Sequence, residues 1–259
     1  MSLPRLRPLL LPVEHGGWGF LCEPIVIGLV ATPSVPGSLI AAGALGLFLA
    51  RPPLKVAMDD WRHRRRVPRT RWAWGIAAGY LALATAALTG ATMLAGPRFW
   101  MVGVVAAPLA VLALAFDVRG ASRGLLPELA GATALGATAG ATALVAGWTP
   151  VLALTLWASA LVRVLPAIVT VRERVLRLHG EPPRTRGAAI AHVLALLASG
   201  GLAIVGLMPV TVVGVAALLA ARALWDLRDG APARTAMQIG LTELVIGLVA
   251  AAVIGGGWG

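Results

Sequence analysis

The 259-residue chain is 58% hydrophobic, only 5% aromatic and 13% charged, with a mean hydropathy of +0.84 and a formal net charge of +11. A water-soluble domain of this length has too little interior to hide that much apolar surface, so the composition excludes an ordinary soluble protein. In a soluble protein the basic excess would point to nucleic acid; in a membrane protein it collects in cytoplasmic loops beside anionic lipid, so membrane lipids are the expected partner and nucleic acid is not.

Apolar blocks between charged, Pro or Gly punctuation predict nine membrane-spanning helices: roughly 16–33, 37–58, 72–95, 98–116, 126–146, 149–171, 187–207, 209–225 and 235–256. Arg5 and Arg7 before an apolar run look superficially like a signal peptide. Pro12, Glu14 and His15 interrupt that run and no small-residue cleavage site follows, so the first helix is expected to be retained. The lone cysteine, Cys22, excludes an internal disulfide and any CxxC site. The fold class is therefore an all-α, polytopic transmembrane bundle, a single integral membrane domain over residues 1–259.

Positive charge tests that division without having been used to make it. Of the 22 Lys and Arg, 21 fall on one side of the predicted membrane and only Arg98 on the other. The positive-inside rule then places the N-terminus in the cytoplasm and the C-terminus outside; the membrane expected is the plasma membrane.

Ionisable residues at membrane depth are expensive and need a partner or a wet cavity; here they are Glu23, Glu128, Arg163, His192 and Glu243. His15 and Glu23 are eight residues apart in the first span, which on a helix leaves them about 80° apart with Gly19 between them. Glu23 lines a functional route or makes an interhelical ion pair, with Arg163 as the natural partner. His192, on an apolar helix, reads as a hydrogen-bonded interior residue. No HExxH, Gly-rich phosphate loop or close histidine spacing is present, so no metal site is predicted from the residues themselves.

The connection after the second span carries Asp59 and Asp60 followed by Arg62, Arg64, Arg65 and Arg66. Four spans later the chain repeats the layout with Arg172, Glu173, Arg174, Arg177 and His179. Two such segments at equivalent distances predict an internal repeat of four helices. Guanidinium forks suit phosphate oxygens, so Arg62, Arg66, Arg172 and Arg177 are candidate anion ligands, with Asp59, Glu173 and Glu128 as groups that orient them or accept a proton. Arginines at these positions also set topology and touch lipid headgroups.

The run Pro12-Val-Glu-His-Gly-Gly-Trp-Gly, the turn Asp117-Val-Arg-Gly-Ala-Ser-Arg123 with Glu128 after it, Val171-Arg-Glu-Arg and the late Ile239-Gly-Leu-Thr-Glu243 resemble the YwiC-like family of bacterial membrane proteins. The nine-helix layout, with special segments after spans two and six, is in turn similar to the UbiA superfamily of intramembrane prenyltransferases. That similarity implies two four-helix halves plus a ninth helix, a lipid-facing cavity and a polyprenyl diphosphate bound through magnesium. The superfamily's Asn-Asp-x-x-Asp-x-x-x-Asp pattern would start at Met58 and Asp59, but Arg62 and Arg66 occupy its later aspartates; in the second motif Glu173 is followed by Arg177. Such a metal site needs several carboxylate oxygens close together, and here the charge is reversed.

The sequence thus predicts a UbiA-like bundle that binds an anionic lipid or isoprenoid diphosphate in a cytoplasmic-side cavity, with prenyl transfer as the reaction implied by resemblance. Two alternatives stand beside it: a small-solute permease whose path is lined by Glu23, Glu243, Arg163 and His192, and a non-catalytic partner of an envelope or respiratory complex.

Overall fold

The computed structural model describes residues 7–11, 15–65, 67–121, 124–181, 185–228 and 235–259. Among the described residues, after a short turn of helix, α1 (Arg7–Leu10), nine long helices follow: α2 (His15–Ala31), α3 (Val35–Arg62), α4 (Pro68–Ala95), α5 (Trp100–Val118), α6 (Leu125–Val145), α7 (Pro150–Leu178), α8 (Thr185–Ile204), α9 (Val210–Leu227) and α10 (Ala236–Gly256). A single 3-10 turn, Pro97–Phe99, joins α4 to α5. The described residues hold no strand. The nine long helices coincide with the nine predicted spans.

Seven of them are long and apolar enough to cross a membrane: α3, α4, α5 with its 3-10 turn, α7, α8, α9 and α10. The chain is a multi-pass membrane protein. The other two are exceptions for different reasons: α2 is apolar but only 17 residues long, and α6 is a run of Ala, Gly and Thr. Both lie in the middle of the bundle: α2 packs on α3, α6, α7 and α10, and α6 packs on α2, α3, α5 and α7. For α6, wrapped by other helices, close packing of small side chains replaces lipophilicity as the requirement.

Three helices run further than their apolar stretches predict: α4 starts at Pro68, four residues before its predicted span, and two others overrun at their C-terminal ends. Helix α3 continues through Asp59, Asp60 and Arg62, and α7 through Arg172, Glu173, Arg174 and Arg177. Hydropathy ends at the first charges, whereas backbone hydrogen bonding does not. Helices of 28 and 29 residues span about 42 Å and 44 Å, more than the ~30 Å hydrocarbon core, so their charged turns project past it.

These two helices are built alike from end to end. Ser34 and Thr149 cap their N-termini, each side-chain oxygen accepting the amide of the third residue on, Gly37 and Leu152. His63 and His179 close their C-termini, and each Nδ1 donates to the carbonyl four residues back, Asp59 at 2.9 Å and Val175 at 2.8 Å. The next residue is left-handed in both: Arg64 at φ +52° and Gly180 at φ +79°. The amides of Arg65 and Glu181 then reach back to Asp60 and Leu176 at 2.8 and 3.2 Å, completing the same Schellman ending.

The packing repeats as well. Helix α3 contacts α2, α4, α5 and α6, and α7 correspondingly contacts α6, α8, α9 and α2. The repeat of α2–α5 by α6–α9 breaks at α10, which takes the place beside α2 that α5 takes beside α6. Close approach depends on small residues: a Cβ at Gly46 of α3 would lie 2.9 Å from the Tyr80 carbonyl of α4, which faces it with buried alanines 73, 77, 84, 87 and 91.

Candidate functional site

Helix α7 supplies the centre of a buried ionic network. Arg163 and Arg174 are eleven residues apart, which brings them back to within about 20° on one helical face. Arg163, 4% exposed, places Nη1 3.1 Å from Glu23 Oε2 of α2 and Nη2 3.9 Å from Glu243 Oε2 of α10. The same Nη2 donates to the Glu243 backbone carbonyl at 3.1 Å. Three turns on, Arg174 Nη1 lies 3.1 Å from both Glu243 Oε1 and Asp226 Oδ2 of α9. Arg222, one turn before Asp226 on α9, contacts Asp226 and Glu243 at 3.4 and 2.5 Å.

Three acids and three guanidiniums therefore tie α2, α7, α9 and α10 together. Mutual neutralisation is what makes these charges tolerable, since an isolated ion there would carry several kcal/mol of desolvation cost. Gly247 of α10 leaves the room: a Cβ there would collide with the Glu23 carboxylate and lie 2.6 Å from Arg163 Nη2. His192 of α8 is buried and stands 3.1 Å from Thr170 Oγ1, which also donates to the Pro166 carbonyl at 2.9 Å. It is a hydrogen-bonded interior residue, outside the network.

Beside the network lies a cavity of about 650 Å³ between α2, α6, α7 and α10. Glu23, Arg163 and Glu243 line its deeper part. Glu128, in the first turn of α6, and Arg172 and His179, near the end of α7, line the part closer to the arginine-rich end of the bundle. The wall between is apolar, from Phe20, Ile168, Val171, Val175 and Leu244. Arg172 Nη1 faces Glu128 Oε2 at 3.8 Å, and both side chains are about one-third exposed.

The cavity thus gathers five of the candidate ligand and proton-transfer residues proposed from the sequence: Glu23, Glu128, Arg163, Arg172 and Glu243. The others sit elsewhere. Arg62 donates from the end of α3 to the Val118 carbonyl at 2.7 Å, and Arg177 donates from the end of α7 to the carbonyls of Leu227 and Arg228. These two arginines tie down the last turns of α5 and α9. Asp59 is exposed, 3.3 Å from His63 Nδ1 and 3.9 Å from Arg65. Glu173 is buried on α7 and does not line the cavity. Arg66 and the side chain of His15 lie outside the described residues.

Several ionic residues escaped the sequence reading. Arg51 of α3 grips Asp117 of α5 through both carboxylate oxygens, the Nη2 contact being 2.8 Å. Asp60, fully buried, accepts from Arg69 Nη2 at 2.8 Å and Thr70 Oγ1 at 2.7 Å, locking the α3–α4 corner. A signal for part of this was present: Phe116-Asp-Val-Arg at the end of α5 matches Trp225-Asp-Leu-Arg at the end of α9. In each half, the long helix sends one arginine to that aspartate, Arg51 or Arg174, and another to the carbonyl of the residue after it, Arg62 or Arg177.

The magnesium site implied by resemblance does not fit this arrangement. Each carboxylate lining the cavity faces a guanidinium, and among the described residues no group of three or more His, Cys, Asp or Glu is placed to hold a metal ion.

Comparison with known proteins gives one match. A family model described as YwiC-like protein matches residues 11–143. No curated protein and no solved structure matches the chain.

Proposed function

The chain belongs to the YwiC-like family, and we propose that it is a plasma-membrane protein that binds an anionic lipid or isoprenoid in the cavity between α2, α6, α7 and α10. One observation carries this reading: the cavity joins an apolar wall to a guanidinium, Arg172, at the side nearer the arginine-rich end. By the positive-inside rule that end faces the cytoplasm, so an amphiphile enters with its chain along Phe20, Ile168 and Val175 and its anionic head towards Arg172. Glu128 pairs with Arg172 at 3.8 Å, and a phosphate oxygen competes with it for the guanidinium. The matching halves of the bundle support the two-halves-plus-one arrangement implied by the UbiA resemblance, which supplies isoprenoid diphosphates as the first ligands to test. The donor set does not support that superfamily's metal-dependent chemistry.

The test is binding of a polyprenyl diphosphate and of its uncharged alcohol to the detergent-purified protein. The diphosphate is expected to bind more tightly than the alcohol, and Arg172→Gln to weaken it about tenfold, as expected for a lost charge-assisted hydrogen bond. Arg62→Gln, which lies outside this cavity, should leave affinity unchanged. Equal binding of diphosphate and alcohol, or full affinity in Arg172→Gln, sinks the proposal.

A second reading rests on the ion pair at the deep part of the cavity. Glu23, Arg163 and Glu243 form a run of ionisable groups at membrane depth, the usual marking of an ion or solute route. Solute counterflow in proteoliposomes, abolished by Glu23→Gln, is the outcome this reading requires.

A further inference from the structure

A second built feature lies at the α3–α4 corner and shares no residue with the cavity. There a groove of about 1540 Å³ is lined by Trp61, Trp72 and Trp74 together with Arg62, Arg64, Arg65 and Arg71. The three indoles are 72%, 48% and 47% exposed, an apolar face that water alone would leave unfavourably solvated. The corner itself is fixed, because the buried Asp60 holds Arg69 and Thr70 of the first turn of α4. Arg69 is committed to Asp60 and Arg62 to the Val118 carbonyl, which leaves Arg64, Arg65 and Arg71 as the cations offered to the groove.

Indoles settle at the headgroup level of a bilayer, and guanidiniums beside them meet phosphate. We propose that the α3–α4 corner is a binding site for an anionic phospholipid, its phosphate held by Arg64, Arg65 and Arg71 and its glycerol and upper chains laid against Trp61, Trp72 and Trp74. Charge complementarity selects the occupant: among the described residues that line the groove the one carboxylate is Asp60, neutralised by Arg69, and the nearby Asp59 lies 3.9 Å from Arg65. The groove is far larger than one free phosphate requires, and its tryptophan wall would be idle without acyl chains.

Native mass spectrometry of the full chain, mixed in detergent with equal amounts of phosphatidylglycerol and phosphatidylcholine, tests this. Preferential retention of phosphatidylglycerol is expected. Arg65→Gln/Arg71→Gln is expected to lower that retention about thirtyfold, taking each arginine near a phosphate at its usual worth. Arg65→Lys/Arg71→Lys should keep it within about twofold. A charge control at the opposite end, Arg98→Gln, should leave it unchanged. Equal retention of the two lipids by the wild type overturns the proposal, and that comparison stands even if a variant fails to fold. Undiminished retention in a folded Gln variant, or displacement of the lipid by inorganic phosphate, overturns it as well.

Discussion

Arg163 shows what a buried charge demands of its neighbours. Its guanidinium is 4% exposed, as is the Glu23 side chain 3.1 Å away, and neither has water to fall back on. Removing one partner leaves the other as an uncompensated ion, which costs about 3–5 kcal/mol, whereas removing both replaces an expensive pair with neutral groups. Arg163→Met is therefore expected to lower the melting temperature sharply. Glu23→Gln/Arg163→Met should recover most of the loss, in a thermal melt of the detergent-purified protein; additive losses would show that the two side chains act independently. Sequence placed Glu23 and Arg163 at membrane depth and named the pair as one of two readings. It gave no hint of Gly247, whose missing side chain leaves the space that the pair occupies.

At the level of single helices, α3 and α7 carry the same design with one difference. Both end in a His cap followed by a left-handed residue, but α7 uses Gly180 where α3 uses Arg64. An arginine held at φ +52° is strained where a glycine is not, so Arg64→Gly should stabilise the fold by about 0.5–1 kcal/mol, read as a raised melting temperature. The paired clamps make a parallel prediction. Arg62→Gln and Arg177→Gln each remove a charged donor from the carbonyls ending α5 and α9, at about 1–2 kcal/mol apiece. Faster hydrogen exchange is expected in the last turn of α5 for the first variant and of α9 for the second; exchange changes confined to the mutated helix would refute the clamp. Helix positions were legible in the sequence because apolar length and charge are local properties. The extra turns of α3 and α7 were not, since hydropathy records where lipid ends and backbone hydrogen bonding does not stop there.

Across the whole bundle, alternating helices bring most of the cations among the described residues to one end. Reporter fusions check the orientation that follows. A fusion after Gly120, at the end of α5, should place its reporter in the cytoplasm, and one after Gly147, at the end of α6, on the outside. The same activity at both sites would mean that α6, the Ala/Gly/Thr helix, does not cross. Its covering by α2, α3, α5 and α7 would let a helix below the usual hydropathy cross.

The sequence by itself determined the number of long helices, their approximate limits and the end at which charge collects, because each depends on additive properties of contiguous residues. Tertiary structure decided which charges meet. Glu23, Arg163 and Glu243 are 140 and 80 residues apart, and their encounter depends on the rotation and register of three separate helices. It also divided two arginine-rich segments of similar appearance into different tasks. Arg62 and Arg177 hold helix ends, while Arg172 faces a cavity. A few residues along one helix turn a side chain to another face, and only the packed neighbours say what waits there.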